Sequence, residues 1–256
     1  SKATLVPASK IPVPTDVFAQ HFGESWSQVL KEKRALNALE ACRVWNLTSR
    51  ELGDLWQASA ADTVKFGGGF YCAKVPSPDI NNSNNNKPHY VLNGFFLTMR
   101  NQFVEPAATV TCYEIAWDAQ QLSWKDFRQR IVGPTDPHQA PRGSLRRLIL
   151  QQYRKLGLKE PPSKGLNGVH GSASPYEALV ERTNWFQRQR LQDDAAFGQP
   201  CVQAGLSPKL LQAWSKDPRI RLDEHDRNKM GSIFDALEEL DAPECLEEMV
   251  RLARIQ

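Results

Sequence analysis

Apolar residues recur along this chain in short runs, and the spacing inside each run predicts an element. ATLVPA (residues 3–8) reads as a strand. Phe18 and Phe22 stand one turn apart behind Thr15, which predicts a helix capped by Thr15 and running through Phe22. ALEACRVWNL (38–47) is rich in strand-compatible residues and predicts a second strand. Thr48 followed by Glu51 is a capping-box pattern, and Leu52, Leu55 and Trp56 fall at i, i+3 and i+4 of the helix it would start. Ser59 at i+7 ends that apolar stripe early, so the helix is short.

The pattern then lapses. Gly67, Gly68 and Gly69, followed by SPDINNSNNNKPHY, predict an inserted loop over residues 62–88 with little to bury. No GK[ST] follows the glycines, so they read as a connector rather than a phosphate cradle. GFFLTMRNQF (94–103) predicts an amphipathic helix, AATVTCYEIAW (107–117) a strand, and Ser123 the cap of a helix through WKDFRQRI. After a long connection come a strand-sized piece near Val169 and another helix start at Ser174. This order suits an α+β fold: a ferredoxin-like split βαβ antiparallel sheet with helices on one face. Beyond residue 187, Ser207-Pro208, Asp241 and Glu244 are helix starts, and Leu246, Met249, Val250 and Ile255 repeat at helical spacing. The expected division is a domain over 1–186, carrying the loop insertion, and a helical C-terminal extension over 187–256.

Composition narrows the partners. Of the 256 residues 41% are apolar, enough for one large domain with an appendage, and 32 basic residues stand against 29 acidic ones. A total so nearly balanced gives no reason to expect nucleic acid. No run of 18 apolar residues occurs and SKATLVPASK lacks the apolar core of a secretory signal, so neither a membrane nor export is expected. Cys42, Cys72, Cys112, Cys201 and Cys245 are odd in number and form no CxxC, which argues against zinc or a disulfide framework and for a reducing, cytoplasmic setting.

The candidate chemistry lies in NGVHGSASPYEALVERTNWF (167–186). Ser174, Pro175 and Glu177 make an N-cap, a proline at the first helical position and a capping-box acid. His170 therefore sits just before a helix, where free N–H groups and the dipole favour anions. Glu181, on the second turn, could turn back towards the imidazole or the Ser172 hydroxyl and fix a tautomer. Spacing alone leaves two readings open: a nucleophile, or an ordinary histidine hydrogen-bonded in a turn.

This stretch resembles the active-site signature of the nucleoside diphosphate kinases, which runs Asn-x-x-His-Gly-Ser-x-Ser and enters a helix with Ala, Glu and Trp-Phe. Asn167, His170, Gly171, Ser172, Ser174, Ala178, Glu181, Trp185 and Phe186 all fall at matching spacing. VGPTDP (132–137) and GSLR (143–146) are similar to two further segments of that family, and weaker likenesses extend the resemblance over about residues 3–186. It implies a ping-pong transfer in which His170 takes the γ-phosphoryl of a nucleoside triphosphate and passes it to a nucleoside diphosphate. It also implies that Mg²⁺ travels with the nucleotide phosphates and no protein residue ligates it. Under the resemblance Arg146 and Thr135 hold phosphates, Asn167 contacts the sugar, Glu181 and Ser172 steady the histidine, and Phe95 stacks on the base. Homo-oligomers are implied too, although LGLKEPPSKG lengthens a region that packs in the family's assemblies, so the usual hexamer is not assumed.

Elsewhere the pattern departs. LVPASK lacks the family's Pro-Asp-Gly, and Lys10 stands about one residue late for its sugar- and phosphate-contacting lysine. The family tyrosine near the phosphates matches Tyr90 by context or Trp56 by counting; only Tyr90 keeps a phenolic hydroxyl. A phosphate-binding arginine falls on Gln129, between Arg128 and Arg130, with Arg130 preferred. Two further readings stand beside an active kinase: a weakly active or inactive kinase-fold binding or scaffolding module, and a histidine phosphotransferase with a different acceptor.

Overall fold

The computed structural model describes residues 6–67, 69–78, 87–187 and 190–256. The chain is α+β and forms two compact units, dividing at Val110/Thr111. This differs from the expected boundary at 186/187. The helices beyond residue 190 are not an appendage: Cys201, Leu211, Ile233 and Met249 share one buried cluster with Tyr176 and Leu179.

In the first unit, α1 (Thr15–Phe22) and α2 (Trp26–Lys31) precede β1 (Ala35–Asn37), α3 (Ala38–Trp45) and α4 (Ser49–Ala58). Thr15 opens α1 as its first helical residue and does not cap it. Next come β2 (Thr63–Gly67), β3 (Phe70–Val75), β4 (His89–Leu92) and α5 (Phe96–Val104). The sheet order is β1-β4-β3-β2. β3 is antiparallel to both neighbours while β1 runs parallel to β4, so the sheet is mixed and not wholly antiparallel.

Side chains alternate across this sheet. Tyr90 and Leu92 join Phe18, Trp26 and Val29 on one side, and Val91 joins Ala41, Leu52 and Trp56 on the other. Helices therefore cover both faces, where one was expected. The apolar run Tyr90-Val91-Leu92 is what burial on both sides demands.

Five sequence expectations need correction. Residues 38–47 are helical, because the Asn37 side chain accepts from the Glu40 amide (2.8 Å) and Glu40 accepts from the Asn37 amide (2.9 Å), a reciprocal cap. Part of the expected 62–88 loop is the β2-β3 hairpin; Val64, Phe66, Cys72 and Val75 supply its apolar faces, and residues 68 and 79–86 lie outside the described set. Residues 107–117 form no strand among the described residues. Strand propensity expresses fit to a pleated surface, and no ladder receives this segment. Val169 is likewise not in a strand. Of the expected strand at 3–8, residues 1–5 lie outside the described set, and Ala8–Lys10 is a 3₁₀ turn.

The second unit contains α6 (Trp124–Asp126), which runs into a π-helical stretch (Phe127–Val132), then α7 (Leu145–Gln152) and α8 (Pro175–Trp185). α9 (Gly198–Gln203), α10 (Pro208–Trp214), a β5-β6 hairpin (Arg219–Arg221 with Met230–Ser232), α11 (Ile233–Leu237) and α12 (Ala242–Arg254) complete it. No helix among the described residues is long and apolar enough to cross a membrane.

Candidate functional site

α8 starts where its sequence directs. The Ser174 hydroxyl accepts from the Glu177 amide at 3.2 Å, and Pro175 occupies the first turn. Glu177 reaches back past the cap and accepts from the Ala173 amide. That contact ties the 170–174 turn to the helix. On the inner side of α8, Tyr176 and Leu179 are wholly buried, so the helix cannot roll, and Glu181 is presented towards the turn.

The Glu181 carboxylate holds two groups at once. Its Oε1 lies 2.6 Å from His170 Nε2, and its Oε2 accepts from the Ser172 hydroxyl at 2.6 Å. A carboxylate accepts only, so Nε2 is the protonated nitrogen and Nδ1 keeps its lone pair. Among the described residues Nδ1 has no hydrogen-bond partner, and the ring is 63% exposed. The bond to Glu181 holds the His170 pKa above its ordinary 6.5, against the opposing pull of burial and of Arg146. Burial works to raise the Glu181 pKa, but its bonds from His170 and Ser172 prevail and hold it below 4.5.

The backbone bearing His170 is braced by Arg146 from α7. Its Nη1 donates to the Gly133 carbonyl at 2.7 Å, while Nε and Nη2 donate to the Val169 carbonyl at 3.3 and 3.0 Å. Burial, and then the charge of Arg128, lower the Arg146 pKa. Gly133 (φ 93°) and Gly168 (φ 82°) adopt the left-handed conformation that only glycine takes freely. A Cβ on Gly133 would also stand 2.8 Å from the Ser144 hydroxyl. The Trp124 indole donates to the Ser172 carbonyl at 2.8 Å, and Trp117 stacks on Phe127 at 4.5 Å beside it. Asn167 donates to the Thr135 carbonyl at 3.1 Å, which leaves the Thr135 side chain at the surface.

His170, Ser172, Glu181, Arg146, Asn167 and Thr135 thus occupy one neighbourhood of the second unit. Arg130 is 73% exposed, with Asp126 at 3.7 Å. Arg128 is the arginine whose charge reaches Arg146 and Glu177; it pairs with Glu238 at 2.5 Å. Sequence reasoning offered Arg128 beside Arg130 and preferred Arg130; it missed Glu177 as a second acid near His170 and the Trp124 support. The Ser123 cap was the only local signal for Trp124.

The remaining three sequence candidates belong to the first unit. Lys10 is exposed at the end of the 3₁₀ turn. Tyr90 is buried, donates to Glu24 at 2.7 Å and lies under the Arg34 guanidinium. Phe95 is half-buried against Tyr71 and against Trp56, the alternative to Tyr90.

His170, Glu177 and Glu181 offer ligand atoms within 4.8 Å of one another. Each is already engaged, two with each other and Glu177 with Ala173, and one donor is nitrogen. That is a poor match to the octahedral oxygen shell Mg²⁺ prefers. No family model, no curated protein and no solved structure matches this chain.

Proposed function

We propose that this chain is a nucleoside diphosphate kinase with His170 as its nucleophile. The observation that carries the reading is the His170–Glu181–Ser172 arrangement, which secures one ring nitrogen and leaves the other open on an exposed edge. The Nδ1 lone pair attacks the γ-phosphorus of a nucleoside triphosphate. The bond to the bridging oxygen breaks, and the nucleoside diphosphate leaves with that electron pair. As the imidazole gains an N–P bond it becomes cationic, and Glu181 at Nε2–H offsets the developing charge. A β-phosphate oxygen of a second diphosphate then attacks phosphorus, the N–P bond breaks and the neutral ring returns.

Phosphoryl transfer depends on positioning and charge neutralisation more than on covalent activation. Arg146 has three of its five N–H donors committed to carbonyls, so its first effect is to hold Val169, and through it His170, in place. The donors that remain supply positive charge near the ring, and Arg128, whose charge reaches Arg146 and Glu177, takes the role expected of Arg130. Asn167 and Thr135 keep the sugar and phosphate roles the resemblance implies. Mg²⁺ enters as part of the substrate, bridging its phosphates. Lys10, Tyr90 and Phe95 carry nucleotide roles by resemblance alone. Free thiols at all five cysteines suit a reducing, cytoplasmic compartment.

The binding-module reading draws on one observation: the Tyr90 hydroxyl is already committed to Glu24 in a buried setting. One experiment separates all the readings. Incubation with γ-labelled ATP should give an acid-labile, alkali-stable phosphoprotein, absent in His170→Ala and discharged by GDP or CDP. No label on the wild type makes the chain a binding module, and discharge only to another protein makes it a different phosphotransferase.

A further inference from the structure

Arg128, the cation assigned to the phosphates, is held by acids from a segment far along the chain. Its Nη1 donates to Glu238 Oε1 at 2.5 Å and lies 3.8 Å from Glu239 Oε1. Both acids stand in the link between α11 and α12 (238–241), and that link is fastened at each end. Leu237 before it is wholly buried. Asp241 after it is the N-cap of α12 and accepts from the Trp124 amide at 2.6 Å. Between these anchors the Glu239 amide donates to the Ala173 carbonyl at 2.9 Å, in the turn that follows His170. The link is therefore built against the candidate site.

Glu239 adopts φ 64°, a left-handed conformation that strains a glutamate where glycine would be free. Its carboxylate accepts from Gln129 Nε2 at 2.9 and 3.1 Å, which fixes it in place. Glu238 is held more loosely. Its side chain is 48% exposed, and among the described residues Arg128 is its only side-chain partner. Arg128 commits one nitrogen to it; its Nε and Nη2 have no hydrogen-bond partner among the described residues. A guanidinium bound through one nitrogen to a half-exposed carboxylate yields to an anion that can engage two. A phosphate does so, with more charge than a carboxylate carries. Releasing Glu238 needs only a new side-chain rotamer, since no other contact holds its carboxylate.

We propose that Glu238 occupies on Arg128 the place of a nucleotide phosphate, so that binding exchanges carboxylate for phosphate and Glu238 sets the affinity. Glu238 is then an affinity-determining residue supplied by the segment beyond residue 190. The proposal rests on Arg128 being a phosphate contact, as in the reading above, and not on His170 accepting phosphorus.

Calorimetric titration of the full chain with Mg²⁺ and β,γ-methylene ATP, whose terminal phosphoryl group cannot be transferred, tests the exchange. Glu238→Gln and Glu238→Ala should each bind the analogue about fivefold more tightly than wild type, the upper end of what a half-exposed ion pair contributes. In an Arg128→Gln background the same substitutions should change affinity by less than about 1.5-fold, because the competition is for Arg128 itself. Equal tightening in both backgrounds would reflect only a general loss of negative charge and would overturn the proposal. Unchanged or weaker binding in both Glu238 variants overturns it too, since Glu238 would then support Arg128 and not compete for it. So does a failure of every form to bind the analogue. Labelling with γ-labelled ATP separates this from the kinase reading. A chain that tightens as expected but never takes label keeps the exchange and loses the kinase; a labelled chain indifferent to Glu238 does the reverse.

Discussion

At the scale of single residues, one carboxylate decides what His170 can do. Glu181 raises the affinity of the ring for a proton, and a protonated ring has no lone pair with which to attack. Phosphohistidine formation should therefore rise with pH as His170 loses its proton, with a midpoint above the usual 6.5. Glu181→Gln removes the largest influence holding that midpoint up. The acid limb of the rate profile should shift to lower pH, while the plateau falls by about 100-fold because the ring loses its anchor. Rapid-quench labelling across pH reads both effects. A lower plateau with an unmoved limb would mean that another group titrates in the step.

At the scale of elements, the helix starts were legible and the strand pairings were not. Thr48, Ser174, Ser207 and Asp241 all stand at helix starts, since a cap is a contact between residues three apart. The same locality made the site readable: His170, Ser172 and Glu181 lie on one turn and the helix after it. Asn37 was the cap that went unread, and without it residues 38–47 passed for a strand. The β2-β3 hairpin was hidden because its glycine turn and the asparagine-rich run beyond it look alike in composition, although only the former joins two apolar runs. Residues 107–117 mislead in the opposite sense, since threonine, valine and aromatic content cannot say whether a partner strand is available. Ser174→Ala should destabilise the second unit by about 1 kcal/mol in denaturant unfolding, through loss of the α8 cap. Its labelling should fall far less than in Glu181→Gln. An equal fall would place the importance of this turn in the helix end and not in the carboxylate.

At the scale of the whole molecule, two units with separate cores replace the expected catalytic domain and appendage. Residues beyond 190 supply most of the core that fixes α8, and so fix Glu181 against His170. The central claim is that Glu181 secures Nε2 so that Nδ1 carries the phosphorus. Nitrogen-15-detected spectroscopy of the imidazole after reaction with ATP reads the bonded atom directly. Phosphorus on Nδ1 of His170 is the predicted result; phosphorus on Nε2, or an unmodified ring, would contradict the account.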